Sequence, residues 1–118
     1  MTKCAALIVE DDDSVQRLLQ AVLRKHCSSV DVAGDGEAAI EMVRAGSYDV
    51  VLLDLMLPKA NGFAVAEAIR SLDRLPKVIV FSAIARYFTD RFPGDTVVLQ
   101  KPFDLDRIEE VLRTAAGG

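Results

Sequence analysis

The chain has 118 residues, 51% hydrophobic and 27% charged, with 18 acidic against 14 basic side chains and one histidine, giving a formal net charge of −4. That length fits one domain, 1–118 with a core at about 5–115, and a domain of ~100–200 residues buries enough apolar surface to fold unaided, which argues against disorder. The acidic balance disfavours direct nucleic-acid binding, and the most apolar run, Val50 to Leu57, is broken by Asp54 and far short of the ~20 residues of a spanning helix.

The N-terminal MTKCAALIVEDDD has acids where a signal peptide would be cleaved, so a cytoplasmic protein without membrane insertion is expected. Cys4 and Cys27 have neither CxxC spacing nor a nearby His, and in that compartment two reduced thiols are expected.

In chain order, strands and helices alternate. Ala5 to Glu10 reads as the first strand, and Val15, Leu18, Leu19, Val22 and Leu23 then follow the spacing of one helix face, with Asp12 or Asp13 as its N-cap. His26 follows where the helix dipole favours a cation, and a surface role is expected for it. Ser29 to Ala33 is the second strand, and Ala39, Met42 and Val43 mark the second helix. Asp49 to Asp54 is the third strand, followed by a helix on Val65, Ile69 and Leu72. Lys77 to Ser82 is the fourth strand, and Ile84, Phe88 and Phe92 predict a short fourth helix stopped by Pro93-Gly94. Thr96 to Gln100 is the fifth strand, and Leu105, Ile108, Val111 and Leu112 make the last helix, with Asp104 as N-cap.

Five strands, most too apolar for a wet face, alternating with five helices predict a three-layer α/β domain: a doubly wound parallel sheet. In the flavodoxin-like order 2-1-3-4-5 the first and third strands meet at the centre, and ligands bind beyond their carboxyl ends. Those ends carry the chemistry. Glu10, Asp11 and Asp12 follow strand 1, Asp54 closes strand 3, Ser82 closes strand 4 and Lys101 follows strand 5.

Asp54 alone reads equally well as a turn-capping acid, and the acids after strand 1 as helix caps; the combination says more. Glu10, Asp11 and Asp54 brought together would repel one another unless a divalent cation sat among them. Mg²⁺, with Mn²⁺ as an alternative, suits a few carboxylates plus water and phosphate. Three acids, Lys101 and one such ion sum to zero, and the set can receive a phosphoryl group with a carboxylate as nucleophile.

At LIVEDDD, VVLLDLMLPKANG, VIVFSA and QKPF the sequence resembles a response-regulator receiver domain, the phosphoacceptor module of two-component signalling, from Leu7 to about Ala115. The resemblance implies that Asp54 is phosphorylated, that Asp11 binds Mg²⁺ directly and Glu10 through water, and that Met56 offers its backbone carbonyl to the metal. Ser82 would bond a phosphoryl oxygen beside the small Ala83, Lys101 would pair with the phosphoryl group, and Lys101-Pro102 would be cis. Pro58 and Gly62 would shape the loop after the acceptor, although Gly62 reads equally as an ordinary turn residue.

Two departures stand out: Val98 occupies the position of an aromatic switch residue, and the segment between Ser82 and Lys101 is short. Both fall on the face of the fourth helix, fifth strand and last helix, through which an unknown protein target would be contacted. Tyr87 is a candidate partner or dimer contact there, whereas Arg86 and Arg91 read as a solvated face.

The implied donor is a sensor histidine kinase or a histidine phosphotransfer protein. The protein itself is expected to be a phosphoacceptor rather than a turnover enzyme, with no output domain, as a monomer or a weak phosphorylation-dependent dimer. The rivals are an unphosphorylated interaction module with the same fold, and an aspartyl-phosphate phosphatase, which would need a general acid where Met56 stands.

Overall fold

The computed structural model describes residues 4–57, 59, 61–82, 96–101 and 105–117. In order these form β1 (Ala5–Val9), α1 (Asp13–Leu23), β2 (Ser29–Ala33), α2 (Gly36–Ala45), β3 (Val50–Asp54), α3 (Gly62–Arg70), β4 (Lys77–Ser82), β5 (Val97–Gln100) and α4 (Leu105–Gly117). The strands form one parallel sheet in the order β2-β1-β3-β4-β5, as predicted. Observed strands start or stop within one residue of the predicted ones. Four helices lie among the described residues; the helix expected on Ile84, Phe88 and Phe92, the Asp104 cap, Pro58 and the Lys101-Pro102 peptide bond fall outside them.

Alternation along the strands explains why they read as unbroken apolar runs. Ala6, Ile8, Leu52 and Ile79 point to one face of the sheet, where Leu19, Val22 and Leu23 of α1 and Ile108, Val111 and Leu112 of α4 cover them. Leu7, Val9, Val51 and Leu53 point to the other, under Ala39 and Val43 of α2 and Val65, Ala68 and Ile69 of α3. With both faces dry, each buried Val, Leu or Ile among them contributes about 1.5–3 kcal/mol of burial, and truncating one, as in Ile8→Ala, costs about 2–5 kcal/mol.

Each of the first three helices starts on a side-chain cap: Asp12 accepts from the Val15 N–H at 3.0 Å, Asp35 from Ala38 at 2.8 Å and Asn61 from Ala64 at 3.0 Å. Two details of periodicity differ from expectation. Leu18 is 44% exposed at the edge of the α1 stripe, and Leu72 packs on the core from beyond the end of α3.

The expectation of two reduced thiols is overturned, because Cys4 and Cys27 form a disulfide with their Cα atoms 4.4 Å apart. Sheet register brings them together: Ala5 pairs with Ser29, and the Ser28 and Ser29 N–H groups both donate to the Cys4 carbonyl, at 2.9 and 3.2 Å. The helix between them hid that adjacency in the sequence. His26, in the same turn, is also corrected: it is half-buried, and its Nε2 is enclosed with no hydrogen-bond partner among the described residues.

At the amino ends of the strands, the Asp49 carboxylate accepts the Ala5 N–H at 2.8 Å and pairs with Arg74, joining β1 and β3 to the loop after α3. At the opposite ends, the strands release the polar residues.

Candidate functional site

At the carboxyl edge of the sheet, β1 ends one residue before Glu10, β3 ends on Asp54, β4 ends on Ser82, and Lys101 follows β5. Parallel pairing aligns these ends: Asp54 lies opposite Phe81, Ser82 lies opposite Gln100, and the Lys101 N–H donates to the Ser82 carbonyl at 2.9 Å. The carboxylates of Glu10, Asp11 and Asp54 thereby offer oxygens within 4.8 Å of one another, Glu10 and Asp54 buried and Asp11 exposed at the rim.

Lys101 lies between the two buried acids. Its Nζ is 3.1 Å from Glu10 Oε1 and 3.2 Å from Asp54 Oδ2, and 5.2 Å from the centre of the Phe81 ring beneath it. Burial works against the charge on Lys101, but the hydrogen bond to Glu10 and the charges of Asp54 and Glu10 outweigh it, so its pKa is raised. Asp54 Oδ1 accepts the Met56 N–H at 3.1 Å, which folds the chain back over the acid while the Met56 side chain turns outward, 59% exposed. That orientation explains why an apolar residue is tolerated beside a carboxylate.

One ammonium does not balance the site, because three carboxylates and Lys101 sum to a formal charge of −2. The deficit falls on Glu10. Burial, then a hydrogen bond with Asp54, then the charge of Asp54 raise its pKa from 4.5 to about 7, against the opposing pull of Lys101. Its Oε2 is buried and has no hydrogen-bond partner among the described residues. A buried carboxylate oxygen without a donor is costly, and a divalent cation meets that need with the oxygen ligands a hard ion prefers. The donor set therefore fits Mg²⁺ or Mn²⁺.

Gly62 has a role that its turn propensity does not convey. It is the first residue of α3; its N–H donates to the Leu55 carbonyl at 3.0 Å, and a Cβ there would lie 2.5 Å from both the Asp54 carbonyl oxygen and the Leu55 Cα. The helix can press on the backbone at the end of β3 only because this residue has no side chain. Its φ is not positive, so space rather than conformational freedom is what it supplies.

All five described residues expected here, Glu10, Asp11, Asp54, Ser82 and Lys101, lie at the one edge, with Met56 beside them; Ala83 lies outside the described residues. Sequence reasoning missed Gln16, whose side-chain amide donates to the Glu10 carbonyl at 2.5 Å, and the Phe81 ring under Lys101. Gln16 could have been noticed as a polar, half-buried position at the edge of the α1 stripe.

Comparison with known proteins decides the family. The profile of the response regulator receiver domain matches residues 6–113. The chain belongs to the response-regulator receiver family. Among similar proteins, the transcriptional regulatory protein DltR of Streptococcus agalactiae is 35% identical over 106 residues, covering 86% of this chain and 47% of DltR. The response regulator ArlR of Staphylococcus saprophyticus is 35% identical over 123 aligned positions, covering 96% of this chain and 53% of ArlR. This receiver thus spans about half the length of these curated relatives.

Among solved structures, the receiver domain of sensor histidine kinase PA1611 from Pseudomonas aeruginosa, with magnesium coordinated in its active-site cleft, superposes with a TM-score of 0.83 at 26% identity, covering 98% of this receiver and 99% of that one. The response regulator TrrA of Thermotoga maritima, in complex with Mg²⁺-BeF, gives a TM-score of 0.82 at 28% identity, covering 95% and 98%. Among the described residues no helix is long and apolar enough to cross a membrane.

Proposed function

We propose that this receiver takes a phosphoryl group from a phosphohistidine onto Asp54, and that the observation carrying this reading is the buried Asp54 clamped between the Met56 N–H and Lys101 beside two further acids. Asp54 Oδ attacks phosphorus, the P–N bond to the donor imidazole breaks, and the ring, already protonated on its other nitrogen, takes the P–N electron pair and leaves as neutral imidazole. Lys101, already within 3.2 Å of Asp54, exchanges a carboxylate partner for a phosphoryl oxygen as charge moves outward. The Ser82 hydroxyl, at the end of the neighbouring strand, is the donor for a second phosphoryl oxygen.

Asp11 directly, Glu10 through water, Asp54, and the Met56 carbonyl are the groups that would hold Mg²⁺ or Mn²⁺. When bound, the ion supplies positive charge that stabilises the phosphoryl oxygens and relieves the repulsion between the acids. The relatives support this reading: PA1611 carries magnesium in the corresponding cleft, and TrrA carries Mg²⁺ with the beryllofluoride group.

A sensor histidine kinase or histidine phosphotransfer protein is the donor in this reading, and the signal passes by protein contact through the face that includes β5. Val98, half-buried in β5 against the α2–α3 side of the core, favours a second reading, an interaction module that binds without being phosphorylated. Incubation with Mg²⁺ and acetyl phosphate followed by intact-mass measurement separates the two. The expected result is a gain of one phosphoryl group that Asp54→Asn abolishes; no gain with acetyl phosphate or with a phosphorylated histidine donor would leave only the interaction module. Repeated turnover of the donor would instead indicate a phosphatase.

A further inference from the structure

We infer that Gln16 is a positioning residue for the acidic metal ligands, acting through the main chain of Glu10; this rests on the proposal that the acids hold Mg²⁺. The reasoning starts from a backbone problem at the end of β1. Glu10 lies one residue past the strand, so its carbonyl has left the sheet ladder, and a carbonyl in this half-buried position needs a donor. Gln16, one turn into α1, provides it: Nε2 donates to the Glu10 oxygen at 2.5 Å.

On the other side of the same residue, the Glu10 N–H donates to the Ala33 carbonyl at 3.1 Å. The peptide planes flanking the Glu10 side chain are thereby held from β2 and from α1. Two residues on, the Asp12 side chain caps α1 through the Val15 N–H, so the segment that carries Glu10 and Asp11 is fixed at both ends. The amide of Gln16 also lies against the loop after β2, where a Cβ on Gly34 would be 3.8 Å from Nε2, ordinary contact distance. Gln16 thus spans α1, the end of β1 and the loop after β2.

The direction of the Glu10 and Asp11 carboxylates depends on this clamp. Loss of the donor frees the Glu10 carbonyl to turn towards water, which rotates the peptide between the two acids and spreads oxygens that now lie within 4.8 Å of each other and of Asp54. A neutral hydrogen bond of this kind is equivalent to about a two- to tenfold change in an equilibrium constant.

The test compares Gln16→Met, similar in length with no donor, Gln16→Ala, a strong helix former with no donor, and Gln16→His at pH 8, where a neutral ring N–H restores a donor at similar reach. Two quantities are read: the Glu10 carbonyl ¹³C resonance in metal-free protein, and the Mg²⁺ dissociation constant from calorimetry. For Gln16→Met and Gln16→Ala the carbonyl resonance is expected to move upfield and Mg²⁺ binding to weaken about two- to tenfold, with Gln16→His close to wild type on both. Wild-type Mg²⁺ affinity in both donor-less variants would overturn the proposal, as would weakened binding without a change at the Glu10 carbonyl. Failure of the wild-type protein itself to take up Mg²⁺ would refute the metal reading, and this proposal with it.

Discussion

Replacing Gly62 by alanine tests whether α3 is seated on the end of β3 as tightly as its geometry requires. The added Cβ would lie 2.5 Å from the Asp54 carbonyl oxygen and 2.5 Å from the Leu55 Cα, and 3.1 Å from Leu55 Cδ2. Comfortable separations between such atoms are about 3.5–4.0 Å, so the two backbones must part by about 1 Å. Leu55 Cδ2 can rotate away, but the other two atoms belong to the main chain of Asp54 and Leu55. Overpacking costs about 1–3 kcal/mol, and the rigidity of both obstacles places this case at the upper end. Alanine returns about 0.5–1 kcal/mol through its better helix propensity and stiffer unfolded chain. The net loss is about 2–2.5 kcal/mol, or about 8–10 °C in Tm for a domain of this size. The chain that must move leads directly from Asp54 to Met56, so Mg²⁺ affinity and the rate of phosphorylation from acetyl phosphate are expected to fall together with Tm. Thermal unfolding, calorimetry and mass spectrometry measure the three. A Gly62→Ala protein with wild-type Tm and wild-type Mg²⁺ affinity would refute the claim that the approach is fixed.

Four further outcomes are expected. In metal-free protein Glu10 keeps its proton up to about pH 7 when folded, against an ordinary value of 4.5, so stability falls as pH rises across that window; Mg²⁺ affinity rises across the same window, and Glu10→Gln should flatten both profiles in melts and calorimetry. The Ala5 N–H, and then Arg74, hold the Asp49 carboxyl below its ordinary 3.8, so its contribution is present above that pH and lost as pH falls through the lower folded value; Asp49→Asn should shallow the acid limb of a Tm-against-pH curve, and an unchanged limb would remove Asp49 from the account. Reducing the Cys4–Cys27 bond, which links positions 23 residues apart, should lower stability by about 3 kcal/mol, checked by melts with and without reductant and with Cys27→Ser. Met56 presents no polar group to an attacking water, so a long-lived phosphoryl group is expected, and Met56→Asn should shorten its lifetime in a mass-resolved decay.

The site was legible in the sequence because of how its fold is built. Strands buried on both faces read as apolar runs, and against such a run a carboxylate at Asp54 or a lysine at Lys101 marks a strand end without any knowledge of contacts. What could not be read were the couplings between distant segments. Asp49 bonds the Ala5 N–H across 44 positions, and Cys4 meets Cys27 only because β1 and β2 pair in one particular register.

Gly62 and Gln16 show a subtler limit. Both have a local reading that is true but incomplete: glycine near a turn, and a polar residue beside an apolar helix stripe. Their tasks are set by the backbones they meet, Asp54–Leu55 in one case and Glu10 in the other. The net charge of −4 also changes meaning once the strands are in place. Of that excess, −2 is gathered at one sheet edge by Glu10, Asp11, Asp54 and Lys101, where burial has already pushed one acid towards its protonated form. A surface charge of that size would need no partner, because water would screen it. Gathered at the strand ends with two of its three acids buried, it makes divalent-cation uptake and proton release two readings of the same deficit, so the pH at which Glu10 titrates should also be the pH below which the metal loses its hold.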